Sequence, residues 1–197
     1  MKKTNPTFTV VLITVGVLLI LGSVSLLAYS RLSGDAAAKR AAVLADELES
    51  LMPERTKGAW DDRIQMDMPA MEVDGGNFVG VLEAPRYDVR LPVGAEWDAA
   101  KTADYPCRYF GSVYDGSLIV GGSDHAAQLA FTDQAEIGDP VNVTDMDGRI
   151  YAYTVSFVER ADAVSAVVLR SDEADLTLFM RDRYALDDVV VRCVLDV

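Results

Sequence analysis

The segment from Phe8 to Tyr29 carries no charged side chain over 22 residues. At ~1.5 Å rise per helical residue it reaches roughly 33 Å, about one bilayer hydrocarbon core. A run of this kind reads as a membrane-spanning helix, so whatever else the chain builds must be built beside it. Lys2 and Lys3 on the short N-terminal flank favour leaving that end in the cytoplasm, although Arg31, Lys39 and Arg40 on the far side weaken the bias. Residues 1–31 are therefore expected to be a cytoplasmic stub and cell-membrane anchor, with the rest extracytoplasmic. Cleavage at Ala28-Tyr29-Ser30 is the competing reading, but the apolar run exceeds the usual ~7–15 residues of a signal peptide.

The remaining residues suffice for one cored domain plus an appendage. No Asp or Glu precedes Asp35, so the net charge of -13 is unevenly spread. Without Lys2, Lys3 and Arg31, 15 basic residues face 31 acidic ones. Such a surface repels nucleic acid, whose binding depends on Lys and Arg neutralising phosphates. The two cysteines, Cys107 and Cys193, both fall in the exported part, where a disulfide is chemically permitted. A bridge closing that 87-residue loop would contribute on the order of 4–5 kcal/mol in the chain-entropy model. Two separately buried thiols are the equal alternative. With a single His, the chain falls short of a four-ligand zinc site, and no cofactor is expected.

Leu44, Leu48 and Leu51 recur at helical spacing after Asp35, and Pro53 stops the pattern, which predicts a juxtamembrane helix. Its narrow apolar stripe suits a spacer first, and a docking face or self-association seam second. Residues 53–77 show no sustained period and end in Gly75-Gly76-Asn77, so residues 32–77 read as helix and linker, with Trp60 tacking the linker down. Met66, Met68 and Met71 there suit packing better than metal binding.

From Phe78 onward, β-branched and aromatic runs alternate with turn residues, the pattern of an all-β barrel or sandwich. Eight strands are expected, at 78–82, 87–91, 108–112, 117–121, 140–144, 149–158, 176–180 and 189–195. Asp145-Met146-Asp147-Gly148 is a strong hairpin turn, because Asp and Gly tolerate the backbone it needs. Alternation in the last strand puts Cys193 on the core face with Val189 and Val191.

The order of these phrases resembles that of sortases, cysteine transpeptidases that attach proteins to Gram-positive cell walls or polymerise pilins. The likeness covers 78–197. Phe78-Val79-Gly80-Val81-Leu82 is similar to the family's opening strand, and Leu91-Pro92-Val93 with Glu96-Trp97 to the next strand and turn. Pro106-Cys107-Arg108-Tyr109-Phe110-Gly111-Ser112 resembles a phrase from a class B-like branch. Ser117-Leu118-Ile119-Val120-Gly121-Gly122 stands where the family runs into its Gly-His, and Gly138-Asp139-Pro140-Val141 with the hairpin resembles the following strand pair. Leu176-Thr177-Leu178-Phe179 looks like the strand leading to the nucleophile, and Val191-Arg192-Cys193 closes the match. The resemblance implies a sortase-like eight-stranded barrel behind the anchor and the juxtamembrane helix.

Sortase chemistry needs a thiolate, a proton-managing His and an Arg that stabilises the oxyanion or positions the peptide. Carried over residue by residue, these positions are Arg181, Ser123 and Asp188. The resemblance thus implies a pseudo-sortase, a non-catalytic module whose partners would be a sorting-signal peptide, a pilin or an active sortase. The alternative is transpeptidase or peptidase activity through unorthodox residues, with Ser123 or a displaced base at His125. No Gly-x-Ser-x-Gly elbow supports it, and a Ser and a His two apart in one loop rarely reach triad geometry. Arg181 and Asp188 are expected to face each other as a salt bridge across the old site.

Overall fold

Two-residue alternation, repeated along the strands, sends one set of side chains into a shared interior and the other set outward. The computed structural model describes residues 6–57, 67–98, 101–123, 128–161, 169–170, 173–181 and 187–196. Its strands are β1 (Thr56–Lys57), β2 (Met71–Val73), β3 (Gly76–Ala84), β4 (Val89–Gly94), β5 (Cys107–Phe110), β6 (Leu118–Ser123), β7 (Pro140–Asp145), β8 (Arg149–Ala161), β9 (Leu176–Arg181) and β10 (Asp188–Leu195). The eight strands from β3 to β10 fall where the sequence pattern puts them.

These eight close into a barrel. Following the pairings, the order runs β8-β10-β9-β6-β5-β4-β3, and β7 completes the ring by pairing with both β3 and β8. The length of β8 makes this closure possible. Its first part pairs with β7 through Ile150–Thr154, and its second with β10 through Tyr153–Ala161. Two contacts in the ring are parallel, β6 with β9 over six residues and β4 with β5 at Gly94 and Cys107 alone. The interior is filled by inward residues including Leu82, Val120, Tyr153, Leu178 and Val191, each almost fully buried.

The expected hairpin joins β7 to β8. Gly148 adopts φ +77°, and its N–H donates to the Asp145 carbonyl at 3.0 Å. The Asp145 carboxylate accepts from the backbone N–H groups of Asp147 and Arg149 and from the Tyr114 hydroxyl. Burial pushes the Asp145 carboxyl up from its ordinary range, and these donors partly offset that rise.

The helix expectations need revision. One continuous α-helix, α1, runs from Pro6 to Leu51 in place of two separate helices. The chain divides into the units Met1–Ala36 and Ala37–Val197. In the first unit, Leu18, Leu19 and Ile20 are each more than 60% exposed. Among the described residues no helix is long and apolar enough to cross a membrane, and part of the expected 8–29 span lies outside the described side chains.

In the second unit the end of α1 is a docking element rather than a spacer. Ala45 and Leu48 are fully buried in a cluster with Val73, Phe78, Val81 and the hairpin residue Met146. Arg90 of β4 reaches across to Asp46 at 2.7 Å and also engages Glu49. Residues 53–77, expected as plain linker, contribute β1 alongside β8 and β2 alongside β3. Met68 enters the barrel core and Met71 packs on the helix cluster, while Trp60 and Met66 lie outside the described residues.

Of the two readings for the cysteines, the structure has separate, free, buried thiols. β9 and β6 lie between β10 and β5 in the sheet, about three strand spacings or ~14 Å, too far for a disulfide. Burial pushes the Cys193 thiol up to about 12.

Leu48→Ala removes a fully buried side chain from the helix contact and is expected to destabilise the full chain by about 2–4 kcal/mol in urea denaturation. A spacer helix would show no change.

Candidate functional site

The parallel pairing of β6 with β9 sets the candidate site. Its register matches Ile119 with Thr177, Gly121 with Phe179, and Ser123 with Arg181. On the other side of β9, Val190 of β10 pairs with Phe179 and Val189 with Met180. One further step along the same register brings Asp188 beside Arg181. The three positions singled out in the sequence, Ser123, Arg181 and Asp188, therefore stand in a row across the ends of three adjacent strands. His125 lies outside the described residues.

The chemistry of this row is legible from its contacts. Arg181 Nε lies 4.0 Å from Asp188 Oδ2, with the guanidinium 64% exposed and the carboxylate 13% exposed. A guanidinium stays protonated at any physiological pH and offers neither a nucleophile nor a base. A carboxylate at Asp188 accepts hydrogen bonds only, so it repels a developing oxyanion instead of stabilising one. Ser123 is buried, and its backbone N–H and hydroxyl both donate to Gln128 Oε1, at 3.2 and 3.1 Å. An amide oxygen is no general base, so this partner orients the hydroxyl without activating it. Gln128 itself is buried, and its Nε2 makes no hydrogen bond among the described residues. Neither cysteine substitutes as a thiolate. Cys193 faces the barrel core and is held protonated by burial, and burial likewise raises Cys107 on β5.

Below the row, the outward face of β6, β9 and β10 is filled by the chain's own side chains. Ile119, Phe179, Val190 and Leu169 form a separate buried cluster, with Trp97 packed against it. Phe179 is 2% exposed and Leu169 is also 2% exposed. Trp97, from the segment after β4, sits 5.4 Å from the Phe179 ring and 5.3 Å from that of Tyr109. Gly121 makes this packing possible, because a Cβ there would collide with both the Phe179 and the Trp97 rings. The sequence reading missed this plug. Alternation along Leu176-Thr177-Leu178-Phe179 is a signal that puts Phe179 on the face opposite Leu176 and Leu178, but nothing local links it to Leu169 or to Trp97, which is distant in the chain.

Among solved structures, 86 chains match this fold. Sortase A of Listeria monocytogenes is 19% identical with a TM-score of 0.51, covering 61% of this chain and 88% of that one. Sortase C-3 of Streptococcus pneumoniae is 14% identical with a TM-score of 0.54, covering 83% and 84%. Clostridium perfringens sortase C, solved with the C-terminal cell wall sorting motif, is 17% identical with a TM-score of 0.52, covering 84% and 90%. No protein-family sequence model matches this chain, and no curated protein does. The chain has the sortase fold.

Replacing Asp188 by Arg puts two guanidinium groups at the end of β9 and β10. The expected loss is about 1 kcal/mol, or a Tm lower by about 2–4 °C, shrinking in high salt. In an Arg181→Met background the same substitution should cost less, which a double-mutant cycle reads directly.

Proposed function

We propose that this sortase-fold chain is a membrane-anchored, non-catalytic module at the cell wall, serving the binding or assembly of surface proteins or pilins. The observation that carries the reading is the strand-end row. Where the resemblance calls for a His, a thiolate and an Arg, the row holds Ser123 bonded to an amide, a guanidinium and a carboxylate. The plug of Trp97, Leu169 and Phe179 supports it further, since an extended peptide laid along the outer face of β6 and β9 would have to displace these side chains. The eight-stranded barrel is kept, which fits a protein whose surface is used while its chemistry is not.

The anchor belongs to the same proposal. Leucine and isoleucine side chains stand exposed along α1 in a stretch free of charge, an arrangement that lipid satisfies and water does not.

Incubation of the full chain, in detergent or liposomes, with a fluorogenic sorting-signal peptide library is expected to give no cleavage and no acyl adduct by intact mass. Turnover abolished by Ser123→Ala would overturn the reading and install Ser123 as a nucleophile. Alkaline carbonate extraction of membranes should leave the chain in the pellet, whereas release into the supernatant would remove the anchor from the proposal.

A further inference from the structure

Away from the strand-end row, the segment after β4 and the strand β5 border two adjoining cavities of about 450 and 610 Å³. Both are lined by Asp67, Glu96, Trp97 and Arg108. The first adds Tyr109 and Phe110, which are 38% and 41% exposed, together with Asp115. Tyr109 and Phe110 are thus partly open to solvent beside carboxylates, with Arg170 over one face of Phe110 and Tyr109 in edge contact with Trp97 and Phe179.

The charges are out of balance. Among the described residues lining the first cavity, Asp67, Glu96 and Asp115 face Arg108, whose Nε is committed to the Ala95 carbonyl at 2.9 Å, while Arg170 lies against the lining residue Phe110. The second adds Asp98 and Lys101, so the pair of cavities keeps an acidic surplus. The carboxylates of Asp67 and Glu96 make no ion pair or hydrogen bond among the described residues, whereas Asp115 accepts from Ser117. The chain also displays the contact such a wall favours. The Arg170 guanidinium lies over the Phe110 ring, 3.9 Å from its centroid.

We propose that this aromatic and acidic cavity binds the cationic side chain, Lys or Arg, of a basic peptide segment on a partner protein. The cation sits between the Asp67 and Glu96 carboxylates and the rings of Trp97 and Tyr109, where charge attraction and the ring quadrupoles act together. The surplus of acidic residues over the extracytoplasmic part steers such a segment toward the surface. This inference stands on β5 and the segment before it, and does not rest on the absence of catalysis at Ser123, Arg181 and Asp188.

The test titrates the full chain with short acetylated and amidated Gly/Ser peptides bearing one central Arg, Lys, citrulline or norleucine. Binding is read from the indole resonance of Trp97, assigned with a Trp60→Phe variant. The Arg and Lys peptides should saturate, with the neutral citrulline and norleucine peptides weaker by about tenfold or more. The double variant Asp67→Asn/Glu96→Gln should lose about tenfold in affinity at unchanged Tm, and Tyr109→Leu should lose affinity too. Equal binding of citrulline and Arg peptides would overturn the proposal. So would cationic binding that the double variant leaves unaltered, since that is attraction to the acidic surface as a whole, and so would no saturable shift at all.

Discussion

The register of β6 against β9 is the constraint from which the candidate site follows. Because the two strands run parallel and stay paired over six residues, their C-terminal ends finish level, with Ser123 beside Arg181. β10 then returns antiparallel along β9 and delivers Asp188 to the same edge. A slip by one residue would send Phe179 into the barrel and Leu178 out of it, exchanging core for surface along the whole strand. The burial of Leu178 and Met180 inside, and of Phe179 under Trp97 outside, opposes such a slip from both faces.

The outer packing gives this barrel two hydrophobic layers where β9 is central. Gly121 is the permissive residue, since the space that a side chain would occupy there is taken by two aromatic rings. The residues that fill the face come from three separate parts of the chain: the segment after β4, the stretch before β9, and the strands themselves. The end of α1 docks elsewhere on the barrel, against β3 and the β7–β8 hairpin, and its ion pairs to Arg90 fix the approach. The buried Ala41 and Ala45 suit this docking, because small side chains let the helix lie close to the strands.

Much of the barrel was legible in the sequence because its signals are local. β-Branched and aromatic runs set off by turn residues placed all eight barrel strands, and Asp145-Met146-Asp147-Gly148 placed the β7–β8 hairpin. The strand-end row was legible only through the family resemblance, since Ser123, Arg181 and Asp188 share no local pattern. The clustering of Leu48 with Met146 and the packing of Trp97 over Phe179 were not legible, because each joins residues far apart in the chain whose spacing carries no period. The cysteines were left between two readings, and only the strand order, with β9 and β6 between them, decides for separate thiols.

The central claim is that the outer face beneath Ser123, Arg181 and Asp188 is packed core and not an open peptide groove. Chemical-shift mapping of the Ile119, Leu169 and Val190 methyl groups and the Phe179 ring, with a sorting-signal peptide added to the full chain, tests it most directly. The account predicts no saturable change at these groups in the native chain, and saturable change once Trp97 and Leu169 are both replaced by Ala. Saturable shifts at Phe179 and Val190 in the native chain would contradict it, and would make this face a working peptide site.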